Sequence, residues 1–332
     1  VASSIVVLGA GSWGTALAVQ FARSGGSTVL WGRAEDEPEL LARTRRNERY
    51  LPGVEFPPAL SIEPDLARAL ASGQDVILAV PSGALRIVLQ QIKPMLAPGM
   101  RIAWASKGFE LDTGKLPHQV AREVLGRSVP IAVLSGPTFA REVGQGMPTA
   151  IAVASPNSAF ALELATRITY GAFRAYTQSD IVGVEIGGAV KNVIAIATGV
   201  SDGLGLGSNS RVFLITRGLA ELMRLGVALG AKRETLMGLA GLGDLVLTCT
   251  DDQSRNRRFG LALAAGKPVD AAIAEIGQVV EGYHAAKAVY TVAKTHGVDM
   301  PISEHVYRVL HEGASIREVI ETLLRRGVTA EN

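Results

Sequence analysis

The chain has 332 residues, 48% of them apolar and 19% charged, which excludes a disordered polymer and suffices for about two domains with buried cores. Its 33 basic and 31 acidic residues leave a formal net charge of +2, so no broad basic surface for nucleic acid or an anionic membrane is available and any cation that matters acts locally. A single cysteine, Cys249, excludes an intrachain disulfide and fits a reducing compartment.

Ile5 to Leu8 is a short unbroken apolar run, as a strand buried on both faces requires. Gly9, Gly11 and Gly14 then form G-x-G-x-x-G, and Trp13, Leu17 and Phe21 begin a helical face at once. In such a strand–turn–helix the first glycine permits the tight turn, the second lets backbone approach a pyrophosphate, and the third lets helix pack on strand. The helix N-terminus adds unpaired N–H groups and partial positive charge, so the three glycines point to a dinucleotide. The next strand, Thr28 to Trp31, ends in Gly32-Arg33, where an acidic residue would hold a ribose 2′-hydroxyl. A guanidinium there suits a 2′-phosphate and favours NADP(H), with NAD(H) as the alternative; Glu35 and Asp36 stand close enough to pull it away or to serve the ribose themselves, and the alternative for Arg33 is a plain surface arginine.

Residues 35–46 read as a polar helix, and Tyr50-Leu-Pro-Gly as the start of a loop carrying Pro52, Pro57 and Pro58. Apolar runs at 75–80, 101–105, 131–134, 149–154 and 172–176, with a helix at 157–168, give the alternation of a doubly wound α/β sheet. Ligands of such a sheet sit beyond the carboxyl ends of its strands. Pro81, Ser82 and Lys107 are therefore crevice candidates, and Lys107 stands out because it follows an apolar strand.

From about Asp180 the pattern turns helical, with helices expected at 181–199, 209–225, 231–238, 242–250, 255–265, 270–276, 282–296, 303–312 and 315–326. Ser315 and Glu318 would make a capping box for the last. The expected division is a cofactor domain at 1–179 and an all-helical domain at 180–332, sharing a cleft across a short linker. Segment 181–199 is apolar nearly all round and carries only Glu185 and Lys191 as charges. Six residues separate them, about 600° of rotation, so they do not face each other. Lys191 is then either a lysine tuned downward for acid–base work or one paired with a carboxylate from another element. Asp244 and Thr248 share a helix face, Asp244 being a helix cap or a site residue. Ser254-Arg255-Asn256 opens a helix as a phosphate seat would; the alternative is a capped helix with Arg255, Arg257 and Arg258 facing solvent. The five histidines show no metal-ligand spacing, so no metal is expected. No charged segment followed by an apolar one opens the chain, and no apolar run is read as long enough to span a bilayer, so the protein is not expected to be membrane-embedded.

GAGSWGTALA at 9–18, SKGFE at 106–110, SGPTFAREV at 135–143, VKN at 190–192, GLAGLGDLVLTC at 238–249, SRNRRFG at 254–260 and VVEG at 279–282 occur in this order. Together they resemble the bacterial-type NAD(P)-dependent glycerol-3-phosphate dehydrogenases, from residue 5 to at least 325. The resemblance implies reversible conversion of dihydroxyacetone phosphate to sn-glycerol 3-phosphate for glycerophospholipid synthesis, in a cytoplasmic homodimer. It implies Lys191 as the proton-transferring residue, assisted by Lys107 and Asp244. Substrate contacts would come from Lys107, Gly136, Thr138, Lys191, Asn192, Asp244, Thr248, Ser254, Arg255 and Asn256. Cofactor contacts, beside the glycines, would come from Ser12, Trp13, Arg33, Tyr50, Lys107, Ala140, Arg255, Val279 and Glu281. Thr138 stands where serine is common, and keeps the hydroxyl. The rival readings are a two-domain reductase of a hydroxyacid and a non-catalytic NAD(P) sensor.

Overall fold

The computed structural model describes residues 4–324. The first part carries strands β1 Ser4–Leu8, β2 Thr28–Trp31, β3 Arg46–Asn47, β4 Leu51–Glu55 and β5 Leu60–Ile62. They are followed by β6 Gly73–Leu78, β7 Arg101–Trp104, β8 Ile131–Ser135, β9 Thr149–Ala154 and β10 Phe173–Gln178. Its helices are α1 Ser12–Arg23, α2 Pro38–Thr44, α3 Leu66–Ala71, α4 Leu85–Ile92, α5 Pro117–Leu125, α6 Ala140–Gln145 and α7 Ser158–Ile168. One sheet runs β10-β9-β8-β7-β6-β1-β2-β5. The six strands from β8 to β5 are mutually parallel. Their order is that of two mononucleotide-binding halves meeting between β1 and β6, the crevice where such sheets bind dinucleotides.

The apolar runs become strands because both faces are covered. Ile5 and Val7 of β1 join one core with Leu17 and Phe21 of α1 and Phe160 and Leu164 of α7. Val6 and Leu8 point the other way and join Leu70, Leu85, Leu89 and Val120 of α3, α4 and α5. The strands expected at 149–154 and 172–176 are β9 and β10, but β9 runs antiparallel to β8, an orientation that apolar content does not encode. Residues 35–46 are not one helix. A 3-10 turn at Ala34–Asp36 precedes α2, and Glu37 and Arg45 break the helical path at φ 51° and 57°. The loop expected from Tyr50 is instead half a hairpin, with β4 antiparallel to β3. Pro52 is tolerated there because a two-stranded ribbon leaves one edge unpaired.

From Ile181 onward the described residues are helical. They form α8 Ile181–Gly203, α9 Gly207–Ala228, α10 Arg233–Leu236, a π-helical turn at Leu239–Gly243, and α11 Asp244–Thr250. Then come α12 Arg255–Ala264, α13 Val269–Ile276, α14 Glu281–Thr295, α15 Pro301–His311 and α16 Ile316–Leu324. Glu318 N–H donates to Ser315 Oγ at 3.4 Å, one half of the expected capping box; residues 325 and 326 of that expected helix lie outside the described residues.

The reading that no apolar run could span a bilayer is corrected by α8. Its 23 residues are long and apolar enough by length and composition, yet 89% of its most apolar window is buried inside the fold. The helix is apolar because α9, α11, α12 and α14 pack around it.

Candidate active site

A charged centre forms where α8 meets the π-helical turn. Gly187 has no side chain, and a Cβ there would overlap the carbonyl of Ala240. That close approach brings Asp244, the first residue of α11, to Lys191 one turn further along α8. Lys191 Nζ donates to Asp244 Oδ1 at 2.5 Å and to Thr248 Oγ1 at 3.0 Å. Lys107, in the loop after β7, donates to Asp244 Oδ2 at 2.7 Å and to the Gly136 carbonyl at 3.3 Å. Its methylene stem lies against Gly188 of α8.

One carboxylate thus sits between two ammonium groups, with Asp244 1% and Lys191 7% exposed. The net positive charge is poorly screened at such depth. Burial lowers the Lys191 pKa to about 8; Asp244 opposes the shift and the neighbouring Lys107 adds to it. Lys191 is thus paired with a carboxylate from another element, and burial holds its pKa below the ordinary lysine value. Asp244 is not a helix cap, since both its oxygens are turned to the lysines.

The second cluster lies at the start of α12. Ser254 Oγ caps that helix by accepting the Arg257 N–H at 3.2 Å. Arg255 is half-buried and donates to Gln278 Oε1 at 3.4 Å. Asn256 is more engaged than a free phosphate donor would be. Its Nδ2 donates to Asn192 Oδ1 at 2.9 Å, its Oδ1 accepts the Gly282 N–H at 2.8 Å, and Asn192 Nδ2 donates to Glu281 Oε2 at 3.1 Å. This chain ties α12, α8 and α14 together. Of the arginines that the alternative reading left in solvent, Arg258 is exposed, whereas Arg257 is buried and paired with Asp202 at 2.7 Å and with Asp252.

The glycine turn fits a dinucleotide. A Cβ on Gly9 would lie 2.6 Å from the Ala79 carbonyl oxygen, and one on Gly14 would overlap the carbonyl of Gly9. A Cβ on Gly11 would meet nothing within 4 Å. The chain itself fills the space at the outer two glycines and leaves the middle one open, as the approach of a pyrophosphate would require. Ser12 opens α1, and the neighbouring Trp13 Nε1 is buried with no hydrogen-bond partner.

Asn47, which the pattern did not single out, fastens the β3–β4 hairpin over this turn. Its Nδ2 donates to the Ala10 carbonyl at 2.8 Å and to Thr15 Oγ1 at 2.9 Å, and its Oδ1 accepts the Tyr50 N–H at 3.2 Å. Arg33 stands at the end of β2 with its side chain 66% exposed, 3.5 Å from Asp36 and 3.9 Å from Glu35. Ala140 is the first residue of α6, whose far end is tied to α1 by Arg23 Nη1 donating to the Val143 carbonyl at 2.9 Å. Beyond β6 and β7 a cavity of about 270 Å3 is lined by Pro81, Ser82, Lys107, Val279, Glu281 and His284. It joins the crevice candidates to the start of α14. Thr138 Oγ1 donates to the Gly136 carbonyl at 3.2 Å, next to Lys107.

The family model for the N-terminus of NAD-dependent glycerol-3-phosphate dehydrogenase matches residues 4–161, and that for its C-terminus matches 180–321. The glycerol-3-phosphate dehydrogenase (NAD(P)+) of Pseudoalteromonas translucida is 56% identical over 330 residues, 99% of this chain and 98% of its own. That of Actinobacillus pleuropneumoniae serotype 5b is 55% identical over 323 residues, 97% and 96% of the two chains. The crystal structure of the Coxiella burnetii glycerol-3-phosphate dehydrogenase superposes with a TM-score of 0.94 at 47% identity, covering 98% of this chain and 99% of that one. With both halves of the family matched on a Rossmann-type sheet and a helical second half, the chain belongs to the NAD-dependent glycerol-3-phosphate dehydrogenase family and is an NAD(P)-dependent oxidoreductase of that type.

Proposed function

We propose that the enzyme interconverts dihydroxyacetone phosphate and sn-glycerol 3-phosphate with Lys191 as the general acid and base. The observation that carries this reading is the buried Lys191 ammonium, set on a largely apolar helix and held at 2.5 Å from Asp244. The nicotinamide, when bound, supplies the hydride that reaches the ketone carbon. Negative charge then grows on the ketone oxygen, and Lys191 Nζ gives it a proton. Asp244 holds Lys191 and Lys107 together, and Lys107 stabilises the same oxygen. Fixed charges in a dry site need no reorganisation as the reaction proceeds.

With its pKa near 8, Lys191 is protonated at neutral pH and releases its proton without a large penalty. Reduction should fall as pH rises through about 8, while oxidation, which needs the free amine, should rise.

The substrate phosphate is proposed to sit on Arg255, the free N–H groups opening α12 and the second amide hydrogen of Asn256. Ser254, Gly136, Thr138, Asn192 and Thr248 complete the surroundings. For the cofactor we propose Gly9, Gly11 and Gly14 at the pyrophosphate, with Ser12, Trp13, Arg33, Tyr50, Ala140, Val279 and Glu281 along its length. The division at 179/180, a homodimeric assembly, a cytoplasmic location and a role in supplying glycerophospholipid synthesis belong to the same proposal. The test is initial-rate oxidation of NADPH and of NADH with dihydroxyacetone phosphate, dihydroxyacetone and a series of ketoacids. Turnover confined to the phosphorylated ketone is expected; equal or better rates with a ketoacid would assign the enzyme a different substrate.

A further inference from the structure

Glu185, on the same helix α8, lies outside the centre described above and is 3% exposed. Its Oε1 accepts the Trp104 indole N–H at 3.0 Å and the His118 backbone N–H at 2.9 Å, and its Oε2 meets His118 Nδ1 at 2.6 Å. Trp104 is the last residue of β7, and His118 lies in the first turn of α5. The segment between them is the loop that carries Lys107. A single carboxylate therefore closes both ends of that loop onto the helix that carries Lys191. Gly188, three residues on and on the same helix face, receives the Lys107 stem. Burying a carboxylate is costly, and an apolar side chain would fill the space without that cost. What an apolar side chain cannot do is accept hydrogen bonds from two elements at once.

We propose that Glu185 is a positioning residue: it sets the Lys107 loop against α8 and so holds both ammonium groups on Asp244. The inference rests on the reading of Lys191 as the proton donor. Lys191 is faced by Asp244 and Cys249 from α11, by Lys107 from the loop after β7 and by Glu281 from α14. Glu185 itself faces His118 from α5 and the Trp104 indole from β7. If the loop loosens, Lys107 stops repelling the Lys191 charge and Asp244 is left to Lys191 alone. Both changes raise the pH at which Lys191 loses its proton.

The experiment is the pH profile of ketone reduction by Glu185→Leu, which fills the space and accepts neither hydrogen bond, beside the parent enzyme, with KM for NADPH measured in both. We expect kcat to fall by about tenfold to a hundredfold, the scale of a small misplacement in a reacting pair. KM for NADPH should stay within about twofold, because the groups that Glu185 binds, on Trp104 and His118, are not part of the glycine turn, and the alkaline limb near 8 should move upward. An unchanged kcat overturns the proposal. A lower kcat with the limb in place also overturns it, because a general loss of structure scales the profile without shifting it. If Glu185→Leu is not recovered folded, Trp104→Phe removes one donor and keeps an aromatic ring; it should move the limb in the same direction with a smaller loss, and an unmoved limb counts against the proposal. Lys191→Ala is assayed alongside. If that variant keeps its kcat, the proton-donor reading fails and this inference with it; if it loses kcat while the limb of Glu185→Leu stays put, only the role of Glu185 fails.

Discussion

The glycine turn after β1 is assembled from backbone, within residues 9–14 and against Ala79 of the adjoining segment. The Lys107–Asp244–Lys191 centre is assembled from side chains 137 and 53 positions apart. The first depends on atoms that are missing, the second on charges that are present and dry. They should therefore break differently: the turn by adding a methyl group, the centre by removing an amine.

The largest effect is expected at the centre. Lys191→Ala should lower kcat by at least about a hundredfold, the lower end for acid–base catalysis, with the NADPH dissociation constant nearly unchanged. Steady-state kinetics and a direct binding titration check the two halves separately, and near-normal kcat would remove Lys191 from the chemistry.

Next comes Arg255→Ala, at the start of α12. A charge-assisted hydrogen bond to phosphate lost from the transition state should lower kcat/KM for dihydroxyacetone phosphate by about tenfold to a hundredfold. Dihydroxyacetone, already a poor substrate, should lose much less at saturating NADPH. Equal losses for the two ketones would move the phosphate to another seat, with Lys107 the first candidate.

The turn itself is tested by Gly11→Ala. No protein atom lies within 4 Å of the added methyl group, so thermal stability should change by no more than about 0.5 kcal/mol. NADPH binding should nevertheless weaken by about tenfold or more, about 1.4 kcal/mol. A stability loss with unchanged cofactor affinity would mean that the space at Gly11 is structural.

The smallest effect is expected at Arg33. Its side chain is 66% exposed and shares its charge with Asp36, so Arg33→Ala should raise KM for NADPH by only about tenfold, the low end for a charge-assisted bond, and leave KM for NADH unchanged. Comparable losses with both cofactors would show that Arg33 does not read the 2′-phosphate.

How far the chain could be read depended on distance along it. The strand–turn–helix at residues 5–23, the capped start of α12 and the apolar α8 were legible because each follows from neighbours within a turn or two. The β3–β4 hairpin was not legible, because its strands are too short for a period to develop and its anchor, Asn47, acts on the turn 37 positions earlier. Nor was the engagement of Asn256, whose partners are on α8 and α14. Lys191 shows the boundary most clearly. Its place on an apolar helix was evident, and with it the need for a partner. Which carboxylate would answer was open.

Local order in this molecule, including the alternation of strands and helices, the dinucleotide turn and the burial of α8, follows from residue period, glycine placement and capping, all properties of short segments. The reversal of β9, the choice of Asp244 for both lysines and the clasp of Glu185 on Trp104 and His118 were decided only when distant segments packed. A buried charge is tolerable only beside its counterpart, and whether two such groups meet depends on how closely backbones can approach, as Gly187 and Ala240 do here.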